Sequence, residues 1–403
     1  MSALIRIIVL VLFAAVSAKA QVLNSGSSGT DLALTLTTPG EVVFDPVAMG
    51  LDTDRDNVFH FTTITIGAGV LVRMPFNKLQ GAPVIWLATG AVQIDGTIDL
   101  NGQHGPPPIP GLLNRAAVPG PGGYPGGVGG GGSGFAGANL LTGLGPGGGG
   151  FCCGAALGLS AGHVLASGGQ AYGNALLVPL RGGSGGGASG GTSGGGGGGA
   201  GGGALRVFSS TSIAVTGAIT ANGGNGATSA GGGSGGSIHL IAPTISGAGT
   251  LSASGGLQGG GGAADASNGR VRLDAVSDQF AGVTSAFVTR GTPYNVPLPA
   301  AMPVVRVTSI AGVLIAASAT GEAATPDAIF NQSGPVPVTI EAHNIPVGTV
   351  VQVRIMSEAV PDFVVNSTPL AGTSQLSTAT ASVTFPPGFS RGLVRATWSP
   401  PPQ

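Results

Sequence analysis

Arg206, His239 and Arg272 follow one another at intervals of 33 residues, each between two aliphatic positions (Leu205 and Val207, Ile238 and Leu240, Val271 and Leu273). Stretches that recur at one spacing stack as neighbouring strands about 4.7–4.9 Å apart, which would set the three side chains in an outward ladder. Like charges opposite one another repel, and an extended anion such as an acidic polysaccharide would relieve that repulsion. His239 would add charge mainly below about pH 6.5. The plainer alternative is a solvated sheet face whose polar positions are basic, with Asp274 neutralising one of them.

Asp52, Asp54 and Asp56 place carboxylates at alternate positions ahead of Asn57 and Val58. This matches the first half of a calcium-binding loop, although Thr63 stands where a bidentate glutamate belongs. Two readings stay open, a calcium site and a polar turn leading into a strand.

Other candidates carry less. Gly158-Leu159-Ser160-Ala161-Gly162 fits a nucleophile elbow, but no helix pattern follows, and the same expression fits Gly182–Gly186 and Gly232–Gly236. His163 beside it does not change this. His60, His104, His163, His239 and His343 show no metal-ligand spacing. Cys152 and Cys153 are adjacent, too close in the chain for a relaxed disulfide, and are expected to be free or weakly oxidised. Asn331 and Asn366 begin glycosylation sequons, which matter only in a host that reads them.

The elements that must position these residues come from a repeat. Residues 83–105 align without a gap on 204–226, and with one deletion on 237–259; a fourth copy starts at Arg270. Each copy holds apolar pairs at period two: Val84 and Trp86, Val92 and Ile94, Ile98 and Leu100 in the first. The second offers Leu205 and Val207, Ile213 and Val215, Ile219 and Ala221; the third offers Ile238 and Leu240, Ile245, Leu251 and Ala253. Short alternating runs are strands with one buried face, and three per repeat describe one coil of a β-solenoid. The expected fold is therefore all-β, a short three-sided β-solenoid over 59–276 followed by an immunoglobulin-like β-sandwich over 304–403. Residues 21–58 are expected to cap the solenoid and 277–303 to link the two domains.

One corner of the first repeat opens into a glycine-rich insertion, 103–203. It carries few charges and contains apolar islands such as Asn174–Leu180, so it does not have the composition of a solvated linker. Collagen is excluded, because Ser184, Ala188 and Ser189 occupy all three phases of a three-residue period. Packed, extended polyglycine segments remain compatible with it.

Composition narrows the function. The chain of 403 residues has 78 glycines and only 15 Lys plus Arg against 16 Asp plus Glu. No basic excess points to nucleic acid. The first twenty residues read as a secretory leader: Arg6, an apolar run from Ile7 to Val16, and a small-residue cleavage site at Ala18-Lys19-Ala20. No later segment is long and apolar enough to span a bilayer, so a chain starting near Gln21 is expected outside the cell or on its surface.

The stretches 231–240 (GGGSGGSIHL), 219–224 (ITANGG) and 267–273 (SNGRVRL) resemble those of glycine-rich, adhesin-like β-solenoid exoproteins of bacteria, over roughly residues 60–276. The resemblance implies an architecture and transfers no catalytic motif. The C-terminal part is similar in pattern to accessory domains of secreted proteins. The expected function is structural or adhesive, at the cell surface or in an extracellular matrix. The alternative is a carbohydrate-active or glycan-binding protein acting on an anionic polysaccharide. The repeats offer an enzyme only Asp95 and Asp99, whose equivalents in later copies are uncharged.

Overall fold

The computed structural model describes residues 23–52, 56–109, 115–131, 142–149, 171–191, 195–260, 265–294, 303–316, 326–332, 334–357, 363–385 and 392–398. Among the described residues the protein is nearly all β, with many of its strands in parallel sheets and one four-residue helix, Pro46–Met49, capped by the Asp45 carboxylate.

Parallel strands stack in three ladders. The first joins Val58–Phe61, Val84–Ala88, Ala204–Ser209 and the leading halves of Ser237–Gly247 and Arg270–Phe280, then ends on Phe287–Gly291. The second joins Leu34–Leu36, Ile64–Ile66, Val92–Ile94, Ser212–Val215 and the trailing halves of the same two long strands. Because those strands run through the bend, the two ladders form one ten-stranded sheet. The third ladder is a six-stranded sheet from Gly40–Val43 to Val283–Ser285.

The pairing register reproduces the sequence repeat. Val84 faces Leu205, Val92 faces Ile213 and Ile98 faces Ile219, a constant offset across the glycine-rich insertion. Between the second and third copies Phe208 faces Ile241 but Ser212 faces Thr244, so the single deletion falls at that bend. The apolar period-two residues of every copy are buried in one core. Phe44, Phe59, Phe61 and Trp86 fill its first coils, with Phe44 edge-on to Phe59 at 5.1 Å and Phe61 perpendicular to Trp86 at 5.9 Å. Edge-on packing of this kind adds to simple area burial.

Strands continue past Val276, where a linker was expected. Val283–Ser285 and Phe287–Gly291 add one more parallel strand to each of the two sheets. Their alternation is weak because a terminal coil has a neighbour on one side only; Val283 and Phe287 are exposed. At the other end, Leu34–Leu36 and Gly40–Val43 pair in the ladders rather than lying across them. The residues before them lace the coils together. Ser25 bonds Ser210 and the Ala88 carbonyl, and Ser27 donates to the Phe61 carbonyl.

The described glycine-rich residues form a hydrogen-bonded bundle at one corner of the coils. Along 198–203 successive N–H groups point to three neighbours in turn. Gly198 and Gly201 donate to Gly127 and Tyr124, Gly199 and Gly202 to Gly231 and Ser234, Ala200 and Gly203 to Gln103 and Leu100. A three-residue period with no internal bond is the geometry of an extended threefold helix. Only glycine allows such close approach: a Cβ on Gly198 or Gly201 would land on the carbonyl oxygen of Gly186 or Gly183. Segments 221–236, 253–260 and 265–269, from the same corner of later repeats, complete the bundle.

After residue 303 two antiparallel sheets share a separate core that includes Val338, Ile340, Val353, Ile355 and Ala381. One has five strands, with Val304–Ile310, Val336–His343 and Ser377–Val383 in the middle; the other has three, Phe363–Pro369, Val350–Ser357 and Gly392–Thr397.

Candidate functional site

The spacing of the three basic residues places them as expected in register. Arg206 pairs with His239 and His239 with Arg272 on neighbouring strands of the first ladder. Their flanking aliphatic residues lie in the coil core, so the three side chains stand on the opposite face. The expected exposure is not there. Arg206 and Arg272 are 3% and 7% exposed, and His239 not at all.

The cover is a strap from the glycine-rich insertion, residues 174–181. Asn174 shapes it by accepting the Leu176 and Val178 N–H groups and donating to the Val178 carbonyl. Three consecutive strap carbonyls then meet donors from the coils. Arg272 Nη1 and Thr289 Oγ1 donate to Ala175 O over 3.1 and 3.0 Å, the Tyr294 hydroxyl to Leu176 O over 3.2 Å, and Arg206 Nη2 to Leu177 O over 3.0 Å. Leu177 and Leu180 bury themselves among Val58, Ile85, Leu87, Phe208 and Ile241, the apolar residues on the outward side of the ladder. Hydrogen bonds give the strap its register and the two leucines give it adhesion.

Beneath the strap the charges are paired. Asp274 Oδ2 receives His239 Nε2 at 2.8 Å and Arg272 Nε at 2.7 Å, and Arg272 Nη2 stands 2.7 Å from Oδ1. Arg206 Nε–H donates to His239 Nδ1 over 3.2 Å, so that nitrogen is the bare one and Nε2 carries the proton. Burial, reinforced by the two arginines and opposed by Asp274, lowers the His239 pKa to about 4. The expectation that His239 gains charge below pH 6.5 is corrected accordingly. Two guanidinium cations against one carboxylate leave an excess positive charge, which the strap carbonyl dipoles take up. The Tyr294 ring adds its face, 5.8 Å from the Arg272 guanidinium carbon. Gly291 leaves room for the fork: a methyl there would stand 2.6 Å from both Arg272 Nη2 and Asp274 Oδ1. The whole constellation grips peptide backbone, and the polymer it holds is a length of its own chain.

The described part of the acidic motif forms a turn. Asp52 accepts the Asp56 and Asn57 N–H groups at 2.9 and 3.1 Å, and Asp56 accepts that of Val58 at 2.8 Å. Asn57 takes a left-handed φ of 59°, as residues of its type tolerate. Asp54 lies outside the described residues, as do Cys152, Cys153, Ser160 and His163. Among the described residues no three His, Cys, Asp or Glu side chains are grouped to hold a metal ion. Ser184 and Ser234, of the other two GxSxG matches, bond to each other inside the glycine bundle. His60 and His104 accept the backbone N–H of Ser28 and Asn225. Asp99 pairs with Arg73, and Asp95 with Gln93 and Thr216, so the two carboxylates do not converge on a common point.

No family model, curated protein or solved structure matches the chain. Sequence reasoning missed Tyr294 and Thr289 as partners of the ladder. The signal was the apolar island at 174–180, whose Leu177 and Leu180 require a greasy seat; Ile85, Leu87, Phe208 and Ile241 provide it on a strand face assumed to be wet.

Proposed function

We propose that this protein is a secreted structural or adhesive component of a cell surface or extracellular matrix. In this reading the parallel ladders form a three-sided β-solenoid, and the C-terminal sheets an immunoglobulin-like sandwich. The observation that carries it is the three-residue alternation of donors along 198–203. A bundle bonded through its backbone in three directions is stiff, as a structural element needs to be. The strap reinforces the same economy, since among the described residues the largest buried group of ionisable side chains is used to fasten the bundle to the coils. The resemblance of residues 60–276 to adhesin-like exoproteins supports it further.

Expression of the full chain in a bacterial host, followed by fractionation and a cell-surface adhesion assay, tests this reading. The expected result is a protein shortened near Gln21 in the medium or on the surface, able to adhere. Full-length protein confined to the cytoplasm, or polysaccharide cleavage by the purified chain, would overturn it.

A further inference from the structure

Charge is scarce in this chain, and where a cation occurs it is generally engaged. Arg73, Lys78, Arg272, Arg290 and Arg306 have carboxylate partners, and Arg206 is held by the strap and His239. Among the described side chains, Arg181 and Arg270 are cations with neither a carboxylate nor a hydrogen-bond partner. Both line the same cavity.

That cavity, about 60 Å³, lies where the strap leaves the coils for the glycine bundle. Its lining includes two guanidinium groups and no carboxylate. Arg270 is flanked in register by Ser237 and Phe287, neither of which can neutralise it. Asn268 uses its carbonyl to accept the Gly255 N–H, leaving its NH2 group to donate toward a ligand. Ser267 contributes a hydroxyl beside it, and the Phe287 ring, 53% exposed, supplies an apolar wall. A cavity of this size takes roughly four water molecules, or one small anionic group. Guanidinium groups match a carboxylate in charge and fork geometry, while hydroxyl, amide and ring are the complement of a sugar's hydroxyls and C–H face.

We propose that this cavity binds the carboxylate of an acidic sugar, with Arg181 and Arg270 as its counter-ions. The site is distinct from the Arg206–His239–Arg272 ladder, whose donors are already consumed. It is also independent of the structural reading above, which rests on the glycine bundle.

The test is calorimetric titration of the full secreted chain at low salt with trigalacturonate, maltotriose and inorganic sulfate. Trigalacturonate should bind, weaken as salt is raised, and bind at least tenfold less tightly to Arg181→Gln/Arg270→Gln. Ser267→Asp, which keeps both arginines but supplies them with a resident carboxylate, should lose binding as well. Both variants should melt at the wild-type temperature, because neither removes a pair. No binding of trigalacturonate by the wild type, equal binding by the double variant, or equal binding of maltotriose would overturn the proposal. Sulfate binding without trigalacturonate binding would overturn the assignment to a sugar acid.

Discussion

Arg206 and His239 occupy the same position of successive coils, and the Arg206 Nε–H donates directly to His239 Nδ1 over 3.2 Å. Two basic residues are thus adjacent without repelling, because one of them is neutral. The neutral state is imposed first by burial and then by the other, which occupies the nitrogen a second proton would need.

Acid should therefore loosen the strap. The folded pKa of His239, about 4, lies below the ordinary imidazole value of 6.5. The unfolded chain binds the proton more tightly, so this contribution is complete above about pH 6.5 and is lost as the pH falls toward 4. Its size is about 3 kcal/mol, at about 1.4 kcal/mol for each pKa unit. Urea unfolding at pH 7, 5.5 and 4 should show this loss in the wild type and a flatter profile in His239→Gln. Parallel profiles would contradict it.

Asp274 is the only carboxylate in the buried cluster, so its removal should be severe. In Asp274→Ala, Arg272 and His239 lose their common acceptor in a site without solvent. Breaking a buried pair from one side costs about 3–5 kcal/mol. Thermal unfolding measures the loss, and limited proteolysis should show new cleavage within 171–181. Unchanged cleavage there would mean that the strap holds by its leucines alone.

Glycine substitutions separate the bundle from ordinary loops. Gly201→Ala drives a methyl onto the Gly183 carbonyl, part of the backbone that cannot swing aside, whereas nothing lies within 4 Å of a Cβ at Gly334. Overpacking should cost about 1–3 kcal/mol or more at Gly201 and within about 0.5 kcal/mol at Gly334. Amide exchange in the wild type should be slow for 198–203, whose N–H groups are all bonded. Rapid exchange along that segment would show that the bundle does not persist in solution.

The turn at Asp52 should need no metal. Its carboxylate already accepts two backbone N–H groups, so Asp52→Ala should lower stability by about 1–3 kcal/mol. Melting curves with calcium and with a chelator should coincide in the wild type. A chelator-dependent fall in Tm would show instead that the aspartates hold calcium.

The parallel strands and their register were legible because a repeat is visible twice, as apolar alternation and as spacing. Val84, Leu205 and Ile238 align in sequence and pair in the structure. The fate of the ladder was not legible, since alternation places a side chain on a face but does not say what covers that face. Ile85, Leu87, Phe208 and Ile241 were the available warning, being too apolar for water. Arg181 and Arg270 could not be paired from the sequence, because they meet only after the insertion folds back upon the corner it leaves. The last coil escaped notice for the opposite reason: with a neighbour on one side, Val283 and Phe287 keep too little of the pattern.

The insertion leaves and rejoins the coils at almost one point, where the Gly203 N–H donates to the Leu100 carbonyl over 2.8 Å. That closeness bears on the order of folding. Bringing together the ends of a corner of about a hundred residues rather than about ten adds only about 2 kcal/mol of closure entropy, but the delay falls on one interface. Strands after Ala204 are joined by short corners and can zip unaided, and so can those before Gly102, which pair among themselves; only the junction between the two blocks must wait for the long excursion to close. The strap and the bundle, by gathering the excursion against the coils, shorten that wait, so that two blocks each assembled locally dock along a single seam.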